Sequence, residues 1–590
     1  MEVVLHADGW VHADGVSVRG RAFDGSDRLE ASAICRRLGE ALEGGRADSD
    51  SIPPALEHCV STLEGFYAAV IDRPEGQYLI ADHARSIPLW YDAAGTVVSD
   101  RGWVVRDAID APRARLTERE FHLTRYVTGP DTIWDGVFAV QPGELVRIDG
   151  DERRTSTYWR YWPTGPQSTG ENHESAQSLS ALRTALETAL ERLERVAGDR
   201  PIVLPLSGGY DSRLLAAALV DRGREVIAFT FGQPGHPDVA VSRAVASDLG
   251  IRLEHYPYDQ ERWQAWYHGE ACTSYREWAF GGDALPFLAE WPAVHGLLEA
   301  GRLPRDALYC PGHTVATPSE RLPQFRGETT APPDSVVGCG VGDTEAIIEP
   351  TRDALLEYVL ETHYSLWPRA AFDDIRDRVS AQLFDHDHDH DSPVDTPTQL
   401  AAAYEHWEWR GRMSTFTNGD LRVYEDAGLE WWLPLWDPAY VRGWQRVPLA
   451  ARRNKGLHAA LAVDTYQRIA GISRDRAARI DRTLEPHDRL LSRLRYSPEM
   501  QWIGASSAAP GDQHRSPGWE PPFLTPPAHW SLEAHPLAWG GTLTPELRAD
   551  CADRSLYALR TLGETGYLDL ETATSLPEEP TLEALVDDSA

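Results

Sequence analysis

The chain has 590 residues, several times the roughly 150 residues of a typical domain, so two or more separately cored domains are expected and a small binding module is excluded. With 42% hydrophobic residues and no apolar run near the roughly 20 residues that span a bilayer, an integral membrane protein is not expected. The 91 acidic against 57 basic residues leave a net charge of −34, which disfavours binding to nucleic acid.

In chain order, the segments STLEGFYAAVID, QYLIAD, IPLWYD and GELVRID alternate or run apolar between Gly, Asp and Pro punctuation, predicting a mostly β first domain over residues 1–163. The polar stretch TGPQSTGENHES predicts a linker over 164–176. Leu179, Leu182, Leu186, Leu190 and Leu193 then recur at three- and four-residue intervals, the signature of an amphipathic helix. From Pro201, PIVLPL, SGGYDS, RLLAAALVDRG, EVIAFTFG, DVAVSRAVASDLG and RLEHYPYD read strand, loop, helix, strand, helix, strand, which predicts a right-handed, doubly wound parallel sheet. That second domain is expected over 177–480 and is rich in helices further on. Residues 481–590 read as an irregular Pro- and Trp-rich extension with an acidic tail.

The strongest chemical signal is PLSGGYDSRL. Between a buried strand and a helix start, Leu206, Ser207, Gly208, Gly209, Ser212 and Arg213 form a phosphate cradle: the glycines let backbone N–H groups approach an anion, the helix start adds partial positive charge, and the hydroxyls donate to phosphate oxygens. Asp211 is out of place beside phosphate unless a hard cation such as Mg²⁺ lies between them, so it is the expected metal ligand. The alternative is a helix cap in which Ser and Gly merely turn the chain.

Lysine occurs once, at Lys455; every other basic residue is arginine. A lysine kept where nearly all others are replaced suggests a site that needs a compact ammonium; the alternative is a solvated helix-start residue. The acidic excess reads as adaptation to a salt-loaded cytoplasm, where screening shortens the reach of carboxylate repulsion. Cys35, Cys59, Cys272, Cys310, Cys339 and Cys551 are scattered without a C-x-x-C pair, which argues against a disulfide scaffold and a zinc site. The tract FDHDHDHDSP, with His386, His388 and His390, reads as a solvated loop, its period of two fixing no closed metal geometry. The aromatic set Trp90, Tyr91, Trp134, Tyr158, Trp159, Tyr161 and Trp162 reads as domain-interface packing rather than a stacking platform. The start, MEVVLHADGWVHADG, has neither a basic stretch nor an apolar core, so a cytoplasmic protein is expected.

SGGYDS in this setting resembles the pyrophosphate loop of ATP pyrophosphatases, and FTFGQPGHPDVAVSRAVASDLG resembles the next segment of the asparagine synthetase family. EWWLPLWDPAYVRGWQRVP is similar to that family's E-x-R-x-P-F-L-D segment, and Lys455 to the lysine that follows it. The first domain resembles the glutaminase-type domain that precedes the synthetase. The resemblance implies an α/β protein: an N-terminal αββα sandwich of the Ntn type, then a synthetase domain of the PP-loop type. It implies ATP as cofactor with Mg²⁺, Phe231 beside the adenine, and a lysine that stabilises charge as pyrophosphate leaves or an amine attacks.

Three departures stand out. The family's glutaminase uses an N-terminal Cys, whereas this chain begins Met1-Glu2, so glutamine hydrolysis is not expected. Where the family has S-G-E-G-A-D-E, the match is CPGHTVAT, which places Gly312 in the ATP site, His313 at a catalytic position and Ala316 at a metal-binding Asp. Arg213 replaces the usual small residue after the loop, either to bind phosphate or carboxylate bidentately or to pair with a nearby acid. The expectation is an AMP-forming ligase that joins a small-molecule carboxylate to ammonia or another amine, with Lys455 and His313 catalytic. A degenerate nucleotide-binding protein is the rival. No nucleic-acid or membrane partner is expected, and a homodimer is compatible with the sequence.

Overall fold

The computed structural model describes residues 1–480 apart from 44–50, 75, 151, 166–171, 233–236, 259, 268, 329–345, 365–372, 385–393, 395 and 479. The His/Asp tract, residues 166–171 of the expected linker, Cys339, Cys551 and the extension 481–590 lie outside the described residues, and 172–176, read as linker, already belong to a helix. The molecule is a mixed α/β protein with parallel and antiparallel sheets and many helices.

The apolar run GFYAAVI explains the centre of the first unit. In the strand Glu64–Arg73, Tyr67, Ala69 and Ile71 face one way and Ala68 and Val70 the other, and all are buried, because a strand covered on both faces needs apolar residues at every position. This strand lies inside a seven-stranded sheet ordered Glu152–Thr157, Glu144–Asp149, Gly76–Ala81, Glu64–Arg73, Val16–Asp24, Val11–Ala13, with Asp27–Glu30 also on Val16–Asp24; all pairings are antiparallel. One face packs on the helices Ala31–Glu43 and Pro54–Thr62 through Ile34, Leu38, Leu56 and Val60. The other packs through Val70, Leu79 and Val146 on Tyr91 and Val98 of a four-stranded sheet, Glu2–Val4, Val97–Ser99, Trp90–Asp92, Val137–Ala139. The helix Gly102–Ile109 covers that second sheet. The layers therefore run helix, sheet, sheet, helix.

The second unit begins with the helix Asn172–Ala197, whose Leu182, Leu186, Leu190 and Leu193 are buried as the periodicity predicts. Its sheet has five strands, all parallel, in the order Arg252–Pro257, Val226–Gly232, Ile202–Pro205, Leu308–Tyr309, Glu430–Trp431. From Ile202–Pro205 the chain adds two strands on one side and then crosses to the other. That reversal opens a crevice at the carboxyl ends of the strands, the place where ligands bind in open α/β sheets.

The two units share core and salt bridges. Arg192 pairs with Glu64 and, at 2.9 Å, with Asp437, and His83 Nε2 lies 2.6 Å from the Trp436 carbonyl. Trp159 and Tyr161 pack on Trp409 at 5.4 and 5.7 Å between ring centroids, so these members of the aromatic set lie at the interface, as read. Among the described residues, Cys35, Cys59, Cys272 and Cys310 form no disulfide. Among the described residues no helix is long and apolar enough to cross a membrane.

Candidate active site

The loop after Ile202–Pro205 lies at the crevice. The Leu206 N–H continues the sheet to the Phe229 carbonyl at 2.8 Å, after which the chain turns through Ser207, Gly208 and Gly209 into the helix Tyr210–Asp221. Ser212 Oγ accepts from the Ser207 N–H at 3.2 Å, and Ser207 Oγ from the Gly209 N–H at 3.2 Å. The two hydroxyls thus hold the loop around its own backbone donors. Two close approaches favour glycine. A Cβ at Gly208 would sit 2.6 Å from Asp238 Oδ1, and one at Gly312 would lie 3.1 Å from the Ser212 nitrogen, so Gly312 and His313 lie directly against the loop. Phe231, half-buried at the end of the neighbouring strand, packs on Tyr258 at 5.5 Å. Asp238, at the start of the helix Pro237–Leu249, has its carboxyl raised to about 6 by burial.

A second helix start meets the first. Lys455 precedes the helix Gly456–Ala470, which packs along Tyr210–Asp221, and the two positive helix ends converge on the loop. Lys455 Nζ lies 3.0 Å from Asp211 Oδ2 and 2.7 Å from Glu320 Oε1. His458 Nε2 lies 2.7 Å from Asp211 Oδ1, and its Nδ1 is 2.6 Å from the Tyr440 hydroxyl. Burial alone would raise the Asp211 carboxyl, but the Lys455 charge and the His458 contact hold it well below the usual carboxylate range. Burial opposes the Lys455 ammonium in turn, and Asp211 and Glu320 outweigh it, holding the lysine above its ordinary value. Asn454 and Lys455 both have positive φ, 52° and 53°, a costly conformation for residues with side chains that persists only where the surroundings enforce it.

On the other side of the loop, His313 Nε2 lies 3.2 Å from Asp420 Oδ2, and its buried Nδ1 has no hydrogen-bond partner. Asp420 hydrogen-bonds to Glu290, which accepts from the Tyr424 hydroxyl at 2.6 Å. Glu290 and Asp420 are 4% and 2% exposed. Burial raises both carboxyls, and their mutual repulsion raises Glu290 further. Burial lowers His313 to about 4, against the pull of Glu290 and Asp211, so its imidazole is neutral at pH 7.

The structure thus brings Leu206, Ser207, Gly208, Gly209, Asp211, Ser212, Gly312, His313 and Lys455 together around one crevice. The Arg213 guanidinium donates to the Gly208 and Ala477 carbonyls, each at 2.8 Å, and lies over the rings of Tyr210 and Tyr466. It braces the loop from behind. Ala316 is fully buried. Sequence reasoning missed His458, three residues after Lys455 in the first turn of the helix Gly456–Ala470, and Glu320, four residues after Ala316 in the 3-10 turn Thr317–Arg321. It also missed Glu290 and Asp420, for which no local motif exists.

The donor chemistry suits a hard divalent cation. Asp211 and Glu320 offer carboxylate oxygens around one ammonium beside the loop, and Mg²⁺ is commonly held by one or two carboxylates together with phosphate oxygens.

Residues 181–288 match the family model for asparagine synthase. The chain is also similar to the bifunctional protein NifU/MnmA of Rubrobacter xylanophilus, 35% identical over 108 residues, 15% of this chain and 22% of that protein. It therefore spans about a fifth of that relative's length. Among solved structures, it resembles at 12% identity an allosteric regulatory enzyme of purine biosynthesis (TM-score 0.17, covering 41% of this chain and 60% of that one) and a glutamine phosphoribosylpyrophosphate amidotransferase from B. subtilis (TM-score 0.18, 42% and 71%). The two structural likenesses are too loose to build on.

Proposed function

We propose that this chain, whose residues 181–288 carry an asparagine synthase domain of an ATP-dependent synthetase family, is an AMP-forming carbon–nitrogen ligase. The observation that supports the reading is the contact of Asp211, inside the phosphate loop, with the sole lysine 244 positions away. In this reading the loop from Ser207 to Ser212 holds the ATP phosphates through its hydroxyls and backbone N–H groups, and Phe231 lies beside the adenine. A substrate carboxylate oxygen attacks the α-phosphorus, the bond to the bridging oxygen breaks, and pyrophosphate leaves. Carboxylate oxygen is a poor leaving group and AMP a good one, so an amine nitrogen then attacks the acyl carbon and AMP departs.

The residues divide this work. Lys455 supplies a compact positive charge to the departing pyrophosphate. His313, with Nε2–H donating to Asp420, keeps the Nδ1 lone pair available to take the proton from the attacking amine. Mg²⁺, when bound, offsets charge on the phosphates, and Asp211 would hold it. The amine is ammonia or another small molecule.

One observation favours a second reading, a degenerate nucleotide-binding protein: the fully buried Ala316, where the resemblance implies a metal-binding Asp. Pyrophosphate release decides between them. Mixing the protein with ATP, MgCl₂ and a panel of carboxylates and amines should release pyrophosphate only when the right carboxylate is present, and yield AMP and an amide when the amine is added. ATP binding with no pyrophosphate across the panel would support the second reading.

A further inference from the structure

Lys455 is held between two carboxylates that belong to different parts of the chain. Asp211 comes from the phosphate loop and Glu320 from the turn Thr317–Arg321, and the side chains of all three residues are at most 11% exposed. Two carboxylates from separate segments thus converge on one ammonium, with His458 also on Asp211 and Arg321 near Glu320, and a divalent cation in the ammonium's place would meet the same two oxygens.

The arrangement is built. Glu405, fully buried on the helix Pro397–Glu408, accepts from Ser319 in the Glu320 turn and pairs with the fully buried Arg452 just before Lys455, at 3.0 Å. One carboxylate thereby fastens the segment carrying Glu320 to the segment carrying Lys455. Arg453 adds a second tie, donating to the Leu322 carbonyl at 3.0 Å. The left-handed backbone of Asn454 and Lys455 lies between these anchors.

We infer that Lys455 and a divalent cation compete for the same pair of carboxylates: Asp211 and Glu320 hold the ammonium in the nucleotide-free protein and the cation in the nucleotide-bound one. Glu320 thus supplies, from one turn further along the chain, the acid that Ala316 does not provide. The inference rests on reading residues 206–213 as a phosphate loop. When the cation arrives with the nucleotide, the ammonium moves off the carboxylates towards the phosphates, and two carboxylates then face two positive charges. The exchange puts the lysine where departing pyrophosphate needs it only once substrate is present.

The competition predicts an effect of unusual sign. Measured by Mn²⁺ electron paramagnetic resonance and by thermal shift with MgCl₂, the unaltered protein without nucleotide should bind the cation weakly. Lys455→Met should bind it at least tenfold more tightly, and its melting temperature should rise with MgCl₂ but not with NaCl of equal ionic strength. Adding Glu320→Gln to Lys455→Met should abolish both gains. No tightening in Lys455→Met, or tightening that survives Glu320→Gln, overturns the inference. If Lys455→Met does not fold, Glu320→Gln alone decides: with a non-hydrolysable ATP analogue present, Mn²⁺ affinity should fall at least tenfold, and an unchanged affinity overturns the inference. None of these readouts uses turnover. A protein that shows the competition but releases no pyrophosphate would sink the ligase reading alone, and an active ligase without the competition would sink only this one.

Discussion

Two buried clusters flank the loop, and they titrate in opposite directions. Asp211 is buried beside Lys455 and His458, and its carboxyl is held low. Glu290 and Asp420 are as deeply buried, with Tyr424 and His313 as partners, and their carboxyls are raised. Burial pushes all three upward, so the neighbouring ammonium decides the sign. The first cluster therefore holds full charges suited to a cation and phosphates. The second sets raised carboxyls beside a neutral imidazole, suited to proton transfer.

The comparison is broken most severely at the ammonium. Lys455→Arg keeps the charge but puts a wide planar fork where a point charge is needed, so turnover in the pyrophosphate assay should fall on the order of a hundredfold or more, with ATP affinity little changed. Near-normal turnover would defeat the catalytic assignment. On the other side, His313→Asn removes the proposed base and should slow amide formation by about a hundredfold, while the pyrophosphate burst from carboxylate and ATP persists. A burst lost in parallel would move His313 into the adenylation step.

Stability against pH sharpens the contrast. His313 is lowered from 6.5 to about 4, so the folded protein binds fewer protons than the unfolded chain in that window, and stability is lost as pH falls through it. Glu290 and Asp420, being raised, act in the reverse sense: their contribution is present at low pH and is lost as pH rises through their folded values. His313→Asn should reduce the acid-side loss by on the order of 1–3 kcal/mol. It should not abolish it, because His83 is also lowered to about 4 by burial. Asp420→Asn should instead steepen the acid-side loss, because the opposing contribution of a carboxyl raised from 3.8 to about 6 falls in the same window and is removed. Thermal melts between pH 4 and 9 distinguish the two, and identical profiles for both variants would contradict the opposed titration.

The smallest expected effect is at the seam between the clusters. Gly312→Ala would place a Cβ 3.1 Å from the Ser212 nitrogen, an overpacking that should cost about 1 kcal/mol and weaken ATP binding a few-fold by displacing the helix start. Unchanged ATP affinity would detach Gly312 from the site.

How much of this was legible depends on the separation of the interacting residues. The sequence by itself determined the strand–loop–helix at residues 202–221, the leucine-lined helix, the strand character of STLEGFYAAVID and the singular lysine, because each rests on periodicity, turn chemistry or composition within a short window. Only the tertiary structure decided which charges meet. Asp211 and Lys455 are joined because two distant helices pack with their starts together, and Glu320 reaches them because Glu405 fastens its turn to the lysine segment. Arg213 turned out to brace the loop because the segment at Ala477 offered carbonyls in reach of its guanidinium, which no local pattern around residue 213 encodes. His313, Asp420 and Glu290 likewise come from segments about a hundred or more positions apart in part of their pairings. A buried carboxylate takes its protonation from whatever packing puts beside it, so the chemistry of both clusters was settled by the fold and not by any motif.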